Sequence, residues 1–194
     1  MIRLKNQMQV IYDANIIIYL IFPDGKYRIP LFTKPAKRLT KFLFNQESTI
    51  VVPHFIIREI ERKEYYKIIN ENFEDIRQSS KLALMNKLKK NFENLKKHEN
   101  FLQEYYNPSD ELLDCIDNAF MDFNDLDNIN EYLMRKHVDM LNPSLEDKKL
   151  ILFSKYKECP LISNDLDLTF FQEELLNRGL AHEIIDLMSI DFNC

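Results

Sequence analysis

The sequence has few of the residues that make a chain flexible or cross-linked. Among its 194 residues there are only two glycines and seven prolines, so long flexible linkers are not expected. The three cysteines, Cys115, Cys159 and Cys194, are odd in number and widely spaced, which excludes a CxxC zinc or dithiol motif and favours a reducing compartment. A chain of this length is expected to form a single domain over residues 1–194.

Long hydrophobic runs and an excess of positive charge are also missing. No apolar run approaches the ~20 residues that cross a bilayer, and Asp13 and Asn15 interrupt the N-terminal segment where a signal peptide would be apolar. We therefore expect a cytoplasmic protein with no membrane partner. The formal net charge of −5 argues against a protein that holds nucleic acid by overall charge. It does not exclude a nucleic-acid enzyme whose carboxylates surround divalent cations.

Four short apolar segments have the composition of buried strands. They are MQVIY before Asp13, TIVVP ending at Pro53, CPLIS before Asn164 and, more weakly, HEIIDLM near the C-terminus. Helical segments separate them, and strands that alternate with helices predict a parallel sheet covered on both faces. The expected fold class is α/β, with three layers and a central, mostly parallel sheet of four to five strands flanked by helices.

The middle of the chain, residues 71–142, is expected to be an all-helical insertion within this domain. An apolar stripe predicts a long amphipathic helix or a helical pair, through Leu84, Leu88, Phe92 (or Asn91), Leu95, Leu102 and Tyr106. A run of acids follows, which is typical of a solvated face or of a surface for a basic partner: Asp110, Asp114, Asp117, Asp122, Asp125 and Asp127.

Four other acids lie at strand ends or helix starts, and each has an ordinary structural interpretation. Asp13 and Asp165 follow strands and suit helix capping or local turns. Glu59, near the start of a helix, suits a solvated charge that favours the helix N-terminus. Asp147 follows Ser144 by three residues, the spacing of a capping box.

The four acids become more informative when they are considered together. In a right-handed parallel α/β unit, every helix begins at the edge where the strands end, so all four are expected at one edge. Carboxylates that converge there would repel one another unless they were protonated or bridged by cations. With oxygen ligands and no nearby His or Cys at ligand spacing, the expected ion is Mg²⁺ or Mn²⁺ rather than zinc.

The motifs that contain these acids resemble the four successive acidic motifs of the PIN-domain nucleases. They read IYDANIIIYL, VVPHFIIREI, SLEDKKLILFSKY and CPLISNDLDL, and the resemblance covers residues 8–70 and 143–190. It implies that Asp13, Glu59, Asp147 and Asp165 are catalytic metal ligands, with Glu59 fitting the motif better than Glu61. Asp167 is then an auxiliary ligand, and the orienting groups are Asn15, Ser163 and Asn164. The insertion is longer than in compact members of the family.

The resemblance also implies a substrate and a biological setting. The expected activity is endonucleolytic hydrolysis of RNA, in a toxin of a toxin-antitoxin system or in an RNA-processing nuclease. Basic residues adjacent to the acids are candidates for contacts with substrate phosphates: Arg58, Arg62, Lys148 and Lys149. Family members often form homodimers, and an exposed stripe of the long helix would suit a second copy or an antitoxin-like protein.

Two other functions remain open from the sequence. The chain would be an interaction scaffold if its site were slow or silent and the insertion did the binding. An aspartyl phosphatase of the haloacid-dehalogenase type also needs an Asp after the first strand, but it wants a second Asp two residues later. Asn15 occupies that position here and would be a poor general acid.

Overall fold

Five short strands form one parallel sheet in the computed structural model, which describes residues 8–23, 31–65, 69–70, 77–138, 141 and 143–190. The strands are β1 (Gln9–Tyr12), β2 (Thr49–Pro53), β3 (Phe101–Glu104), β4 (Pro160–Ser163) and β5 (Glu183–Asp186). Their order is β3-β2-β1-β4-β5, and every neighbouring pair is parallel. The predicted α/β class with a central parallel sheet is confirmed.

Helices connect the strands, as parallel pairing requires. They are α1 (Ala14–Ile21), α2 (Thr33–Asn45), α3 (His54–Glu59), α4 (Gln78–Leu95), α5 (Asp110–Phe123), α6 (Ile129–Lys136), α7 (Leu145–Lys157), α8 (Leu166–Thr169) and α9 (Gln172–Asn177). A π-helical turn, Ile60–Glu64, continues α3, and a 3₁₀ turn, Leu187–Ser189, follows β5. Among the described helices, none is both long and apolar enough to span a bilayer.

The central strands are buried on both faces. Val10, Ile11 and Tyr12 in β1 are fully buried, as are Ile50–Val52 in β2. A strand whose consecutive side chains are all buried has helices packed on both sides, because successive side chains point to opposite faces. Burial of this kind gives the three layers expected from the sequence, and it leaves the strand ends as the place where polar side chains can gather.

The segment predicted to be all-helical is not helical throughout. It contains β3, an edge strand that pairs with β2, in place of a helix continuing past Leu95. Helical periodicity over residues 84–106 concealed this strand, because Phe101 is its one buried residue and its polarity pattern is weak. The other regular elements in the described part of the insertion are the helices α4, α5 and α6, and residues 71–76, 139, 140 and 142 lie outside the described residues.

The apolar stripe of the predicted long helix is not an exposed docking surface. Leu84, Leu88 and Phe92 are fully buried and belong to the hydrophobic core. They pack inward because α4 contacts α1 instead of extending away from the domain. The expectation of a partner surface on this stripe is therefore wrong.

The strand order creates a switch point between β1 and β4. Chain connections run from β1 outward to β2 and β3, and the later strands β4 and β5 lie on the other side of β1. In open α/β sheets, ligands bind beyond the carboxyl ends of the strands at such a point, because the flanking loops diverge and leave a crevice. Asp13 and Asp165 follow the two strands that border it.

Candidate active site

Ser163 connects the acids that follow β1 and β4. Its Oγ donates a hydrogen bond of 2.8 Å to Asp13 Oδ2 and accepts one of 3.0 Å from the backbone N–H of Asp165. The backbone N–H of Asp13 donates in turn to the carbonyl of Ile162 at 3.2 Å. Parallel pairing of β1 and β4 thus fixes Asp13 against the end of β4. Ser163 has the geometry of an orienting group.

Asp13 is buried among other carboxylates. Only 5% of its surface is exposed, and burial raises the pKa of its carboxyl to about 8. The charges of Asp147, Asp165 and Glu59 raise this pKa further, while the Ser163 hydrogen bond opposes them. All four predicted acids therefore lie close enough to interact electrostatically. A buried acid of this kind favours a proton or a bound cation.

Asp147 both caps a helix and takes part in the acidic cluster. Ser144 and Asp147 form the capping box that their spacing predicts, with Ser144 Oγ donating to Asp147 Oδ2 at 2.7 Å and accepting from its N–H at 3.1 Å. Burial raises the pKa of Asp147 to about 6, against the lowering effect of these hydrogen bonds. The charges of Asp165 and Asp167 also raise it. The capping interpretation is correct, and it does not remove the residue from the cluster.

Asp165 and Asp167 share one lysine. Lys136 Nζ lies 2.8 Å from Asp165 Oδ1 and 3.0 Å from Asp167 Oδ2. The hydroxyl of Tyr132, one turn earlier on α6, donates to Asp167 Oδ1. Desolvation lowers the pKa of Lys136, but the hydrogen bonds and charges of the two acids outweigh it and the pKa is raised. Asp165 also caps α8 through the N–H of Asp167, at 3.0 Å.

The structure distinguishes the two glutamates that the sequence left close together. Glu61 pairs with Lys96, at 3.0 Å between Oε1 and Nζ, whereas Glu59 is the one whose charge raises the pKa of Asp13. Glu59 ends α3, and the π-helical turn then begins at Ile60. Glu59 is therefore the glutamate of the acidic cluster.

The basic residues predicted near the site fall into two groups. Arg58 and Arg62 line a cavity of about 160 Å³ together with Glu59 and Glu146, so they lie beside the cluster. Lys148 points elsewhere, because its Nζ pairs with Asp117 in α5 at 2.5 Å. Lys149 is partly exposed on α7. The two arginines are therefore placed beside the acids, and a substrate contact of Lys149 stays a prediction.

The two predicted orienting amides have different surroundings. Asn15 is partly exposed in the first turn of α1. Asn164 Oδ1 is buried and has no hydrogen-bond partner among the described residues, although the residue lies between Ser163 and Asp165. Neither amide is hydrogen-bonded to an acid of the cluster by the contacts described, so their orienting role stays a prediction.

The acidic cluster fits a hard divalent cation by donor type and charge. Its donors are all oxygens, and the buried Asp13 lies within electrostatic reach of three other acids. Within the described ranges, however, no three His, Cys, Asp or Glu side chains are gathered closely enough to hold a metal ion. Lys136 and the capping box occupy carboxylate oxygens that a cation would use. Mg²⁺ or Mn²⁺ binding stays a prediction.

Sequence reasoning missed Tyr132 and Lys136. Both lie in the segment treated as a separate insertion, on α6, and sit next to an acidic run that was interpreted as solvated. The available signal was their spacing of four residues, which puts a phenol and an ammonium group on one helix face. Nothing local indicated that this face meets Asp165 and Asp167, because the contacts span 29 and 35 residues.

Comparisons with protein-family models, with curated proteins and with solved structures gave no match.

Proposed function

We propose that this protein is a Mg²⁺- or Mn²⁺-dependent endoribonuclease that hydrolyses phosphodiester bonds at the edge formed by Asp13, Glu59, Asp147 and Asp165. The observation that carries the proposal is the buried carboxyl of Asp13, whose pKa is raised by burial and by three acids from separate segments of the chain. A structural acid is normally paired or solvated, whereas clustered acids with shifted pKa values mark functional sites. The resemblance of the four motifs to PIN-domain nucleases supports the same function.

Each acid has a role in the proposed reaction. Asp13, Asp147, Asp165 and Glu59 would hold the cation, with Asp167 beside them. Such an ion would supply Lewis-acid stabilisation of the phosphoryl oxygens and would lower the pKa of a water molecule. Hydrolysis would add water to phosphorus and break one P–O ester bond, with the leaving oxygen taking a proton from solvent. Ser163 keeps Asp13 oriented, and Glu59 or Asp147 accepts the proton of the attacking water.

A cleavage assay with a mixed pool of single-stranded and hairpin RNA tests the proposal. We expect cleavage with Mn²⁺ or Mg²⁺ and no cleavage in EDTA. Cleavage should also be lost in the variant Asp165→Asn. Equal residual cleavage by the wild type and this variant would identify a contaminating nuclease and reject the assignment. An assay with a chromogenic phosphomonoester distinguishes the proposed nuclease from the phosphatase alternative, because only a phosphatase is expected to hydrolyse this substrate.

Lys136 is expected to compete with the metal ion for Asp165 and Asp167. In Lys136→Met the two carboxylates lose their shared ammonium. We therefore expect the Mn²⁺ concentration for half-maximal cleavage to fall about tenfold. A tenfold change corresponds to ~1.4 kcal/mol of binding free energy, which is modest for a partly buried ion pair. The metal-free variant should melt at a lower temperature than the wild type, and Mn²⁺ should remove this difference.

The matched control is Lys155→Met, an exposed lysine on α7 that has no ion pair within the described residues. It should change neither the Mn²⁺ midpoint nor the melting temperature. A higher Mn²⁺ midpoint in Lys136→Met would mean that Lys136 organises the acids for the metal, and would contradict competition. If the wild type is inactive and Lys136→Met is active, the result would favour the alternative in which the protein is an interaction scaffold with a silent site.

A further inference from the structure

Two helices of this acidic protein are strongly basic, and another is strongly acidic. Helices α2 and α4 carry eight lysines and arginines and a single acid, Glu93, whereas α5 carries five acids and no basic residue. Helices α2 and α4 pack near α1, while α5 packs on α7. The net charge of −5 therefore conceals a basic face, and such a face attracts polyanions more than the net charge suggests.

A groove lies on this basic face between α2 and α4. It contains a cavity of about 350 Å³ whose floor is the end of α1, at Leu20–Pro23, and whose walls include Lys37 from α2 and Asn91, Asn94 and His98 from α4 and its following turn. Phe44 and His98 stack at 4.1 Å between ring centroids and join the two walls. Asn91 Nδ2 donates to the carbonyl of Ile21 at 2.8 Å, which attaches α4 to the groove floor.

Helical spacing extends the groove walls with further positive charge. Lys41 lies one turn after Lys37 on α2, and Lys87 lies one turn before Asn91 on α4. Both are exposed and have no ion pair within the described residues. Ammonium and amide groups on two facing walls are donors, and acceptor-rich phosphates are the groups that they complement.

The groove lies within reach of the acidic cluster. Asp13 is the residue before α1, and the groove floor is the other end of the same helix. An eight-residue helix is about 12 Å long at ~1.5 Å per residue, so one extended strand can contact both places. Tyr19 is partly exposed on α1 between them and packs its ring on Phe32 at 5.3 Å.

We propose that the groove between α2 and α4 binds the phosphate backbone of single-stranded RNA whose scissile bond lies at the acidic cluster. This inference rests on the proposed function, because the nuclease activity defines the position at which the strand is cut. The groove supplies affinity through Lys37, Lys41 and Lys87 without reading base sequence. The acidic face of α5 repels the strand and restricts it to this side of the protein.

Binding of a 12-nucleotide oligouridine labelled with fluorescein tests the groove, by fluorescence anisotropy in EDTA so that no cleavage occurs. The double variant Lys37→Gln/Lys87→Gln is expected to bind at least about tenfold more weakly than the wild type at low salt. The slope of log K against log salt should fall by about 1.4, since each lost phosphate contact on a single strand removes roughly 0.7.

The matched control is the double variant Lys89→Gln/Lys155→Gln, which removes the same charge. Lys89 is on α4 but is turned about 200° from Lys87, away from the groove, and Lys155 is exposed on α7. This control should bind within about twofold of the wild type. Equal losses in both double variants, or no loss in the groove variant, would overturn the groove proposal.

Cleavage separates failure of the groove from failure of the nuclease. A dinucleotide is too short to reach the groove from the acids, so Lys37→Gln/Lys87→Gln should cleave it at the wild-type rate while its KM for the 12-mer rises. If Asp13→Asn leaves cleavage unchanged but the groove variant still loses binding, the groove stands and the nuclease assignment fails. Equal rate losses on dinucleotide and 12-mer would reject the groove as a separate binding surface.

Discussion

Asp13→Asn is expected to lower metal-dependent RNA cleavage by more than about 100-fold. Even residues that only support a metal ligand are worth roughly 10- to 100-fold, and Asp13 is the buried acid toward which the charges of the other three converge. Asparagine preserves the size of the side chain and can still accept the Ser163 hydrogen bond, so the loss should come from the missing charge. Initial rates at saturating Mn²⁺, compared with the wild type, measure it.

Asp114→Asn is the matched control for this variant. Asp114 is an exposed acid on α5 with no contact described to the cluster, and its replacement removes the same charge. It should retain the wild-type rate. A comparable loss of cleavage rate in both variants would mean that the net charge of the protein controls the rate, and not the position of the acid. Full activity in Asp13→Asn would show that the central residue of the proposed site is not needed for cleavage.

The second large effect is on stability, and it depends on pH. In the metal-free protein the folded-state pKa of Asp13 is raised from 3.8 to about 8, so the folded state holds this proton more tightly than the unfolded chain does. The stabilising contribution is complete below about pH 4 and is lost as pH rises through 8. Asp147, raised to about 6, adds a similar loss between about pH 4 and pH 6. The metal-free protein should therefore become less stable from pH 5 to pH 8.5.

Asp13→Asn should remove most of that loss. If half of the shift in the Asp13 pKa is counted, the free energy of unfolding changes by an amount on the order of 3 kcal/mol. For a chain of this length that is roughly 6–12 °C in melting temperature. In EDTA at pH 8.5 the variant should thus melt at a higher temperature than the wild type, whereas at pH 5 the difference should be much smaller. Differential scanning calorimetry over this pH range measures both.

Added Mn²⁺ provides the internal control for the stability experiment. It should raise the melting temperature of the wild type at pH 8.5, because an ion that binds only the folded state stabilises it, and it should have little effect on Asp13→Asn. A wild-type melting temperature that does not change between pH 5 and pH 8.5 in EDTA would contradict the raised pKa of Asp13. If Asp13→Asn is both more stable than the wild type and inactive, then Asp13 lowers the stability of the protein at a position that its activity requires.

Much of the fold could be predicted from local sequence. The strands around Val10, Ile50 and Ile162 are continuous apolar segments next to turns, and such segments are typical of strands buried on both faces. The capping box of Ser144 and Asp147 was also predictable, because both partners lie within one helical turn. The edge strand β3 was not, since its pairing with β2 rather than its own composition makes Phe101–Glu104 extended.

The sequence by itself determined which acids come together at this edge of the sheet. Asp13, Glu59, Asp147 and Asp165 follow strands or begin helices, and the parallel α/β arrangement carries every such position to one edge. Only the tertiary structure decided what surrounds them: Ser163 on Asp13, Lys136 on Asp165, and the basic groove beyond α1. The physical reason is range, because strand, helix and cap signals act over a few residues. Charge pairing and burial depend instead on which distant helices pack together, and no local pattern encodes that.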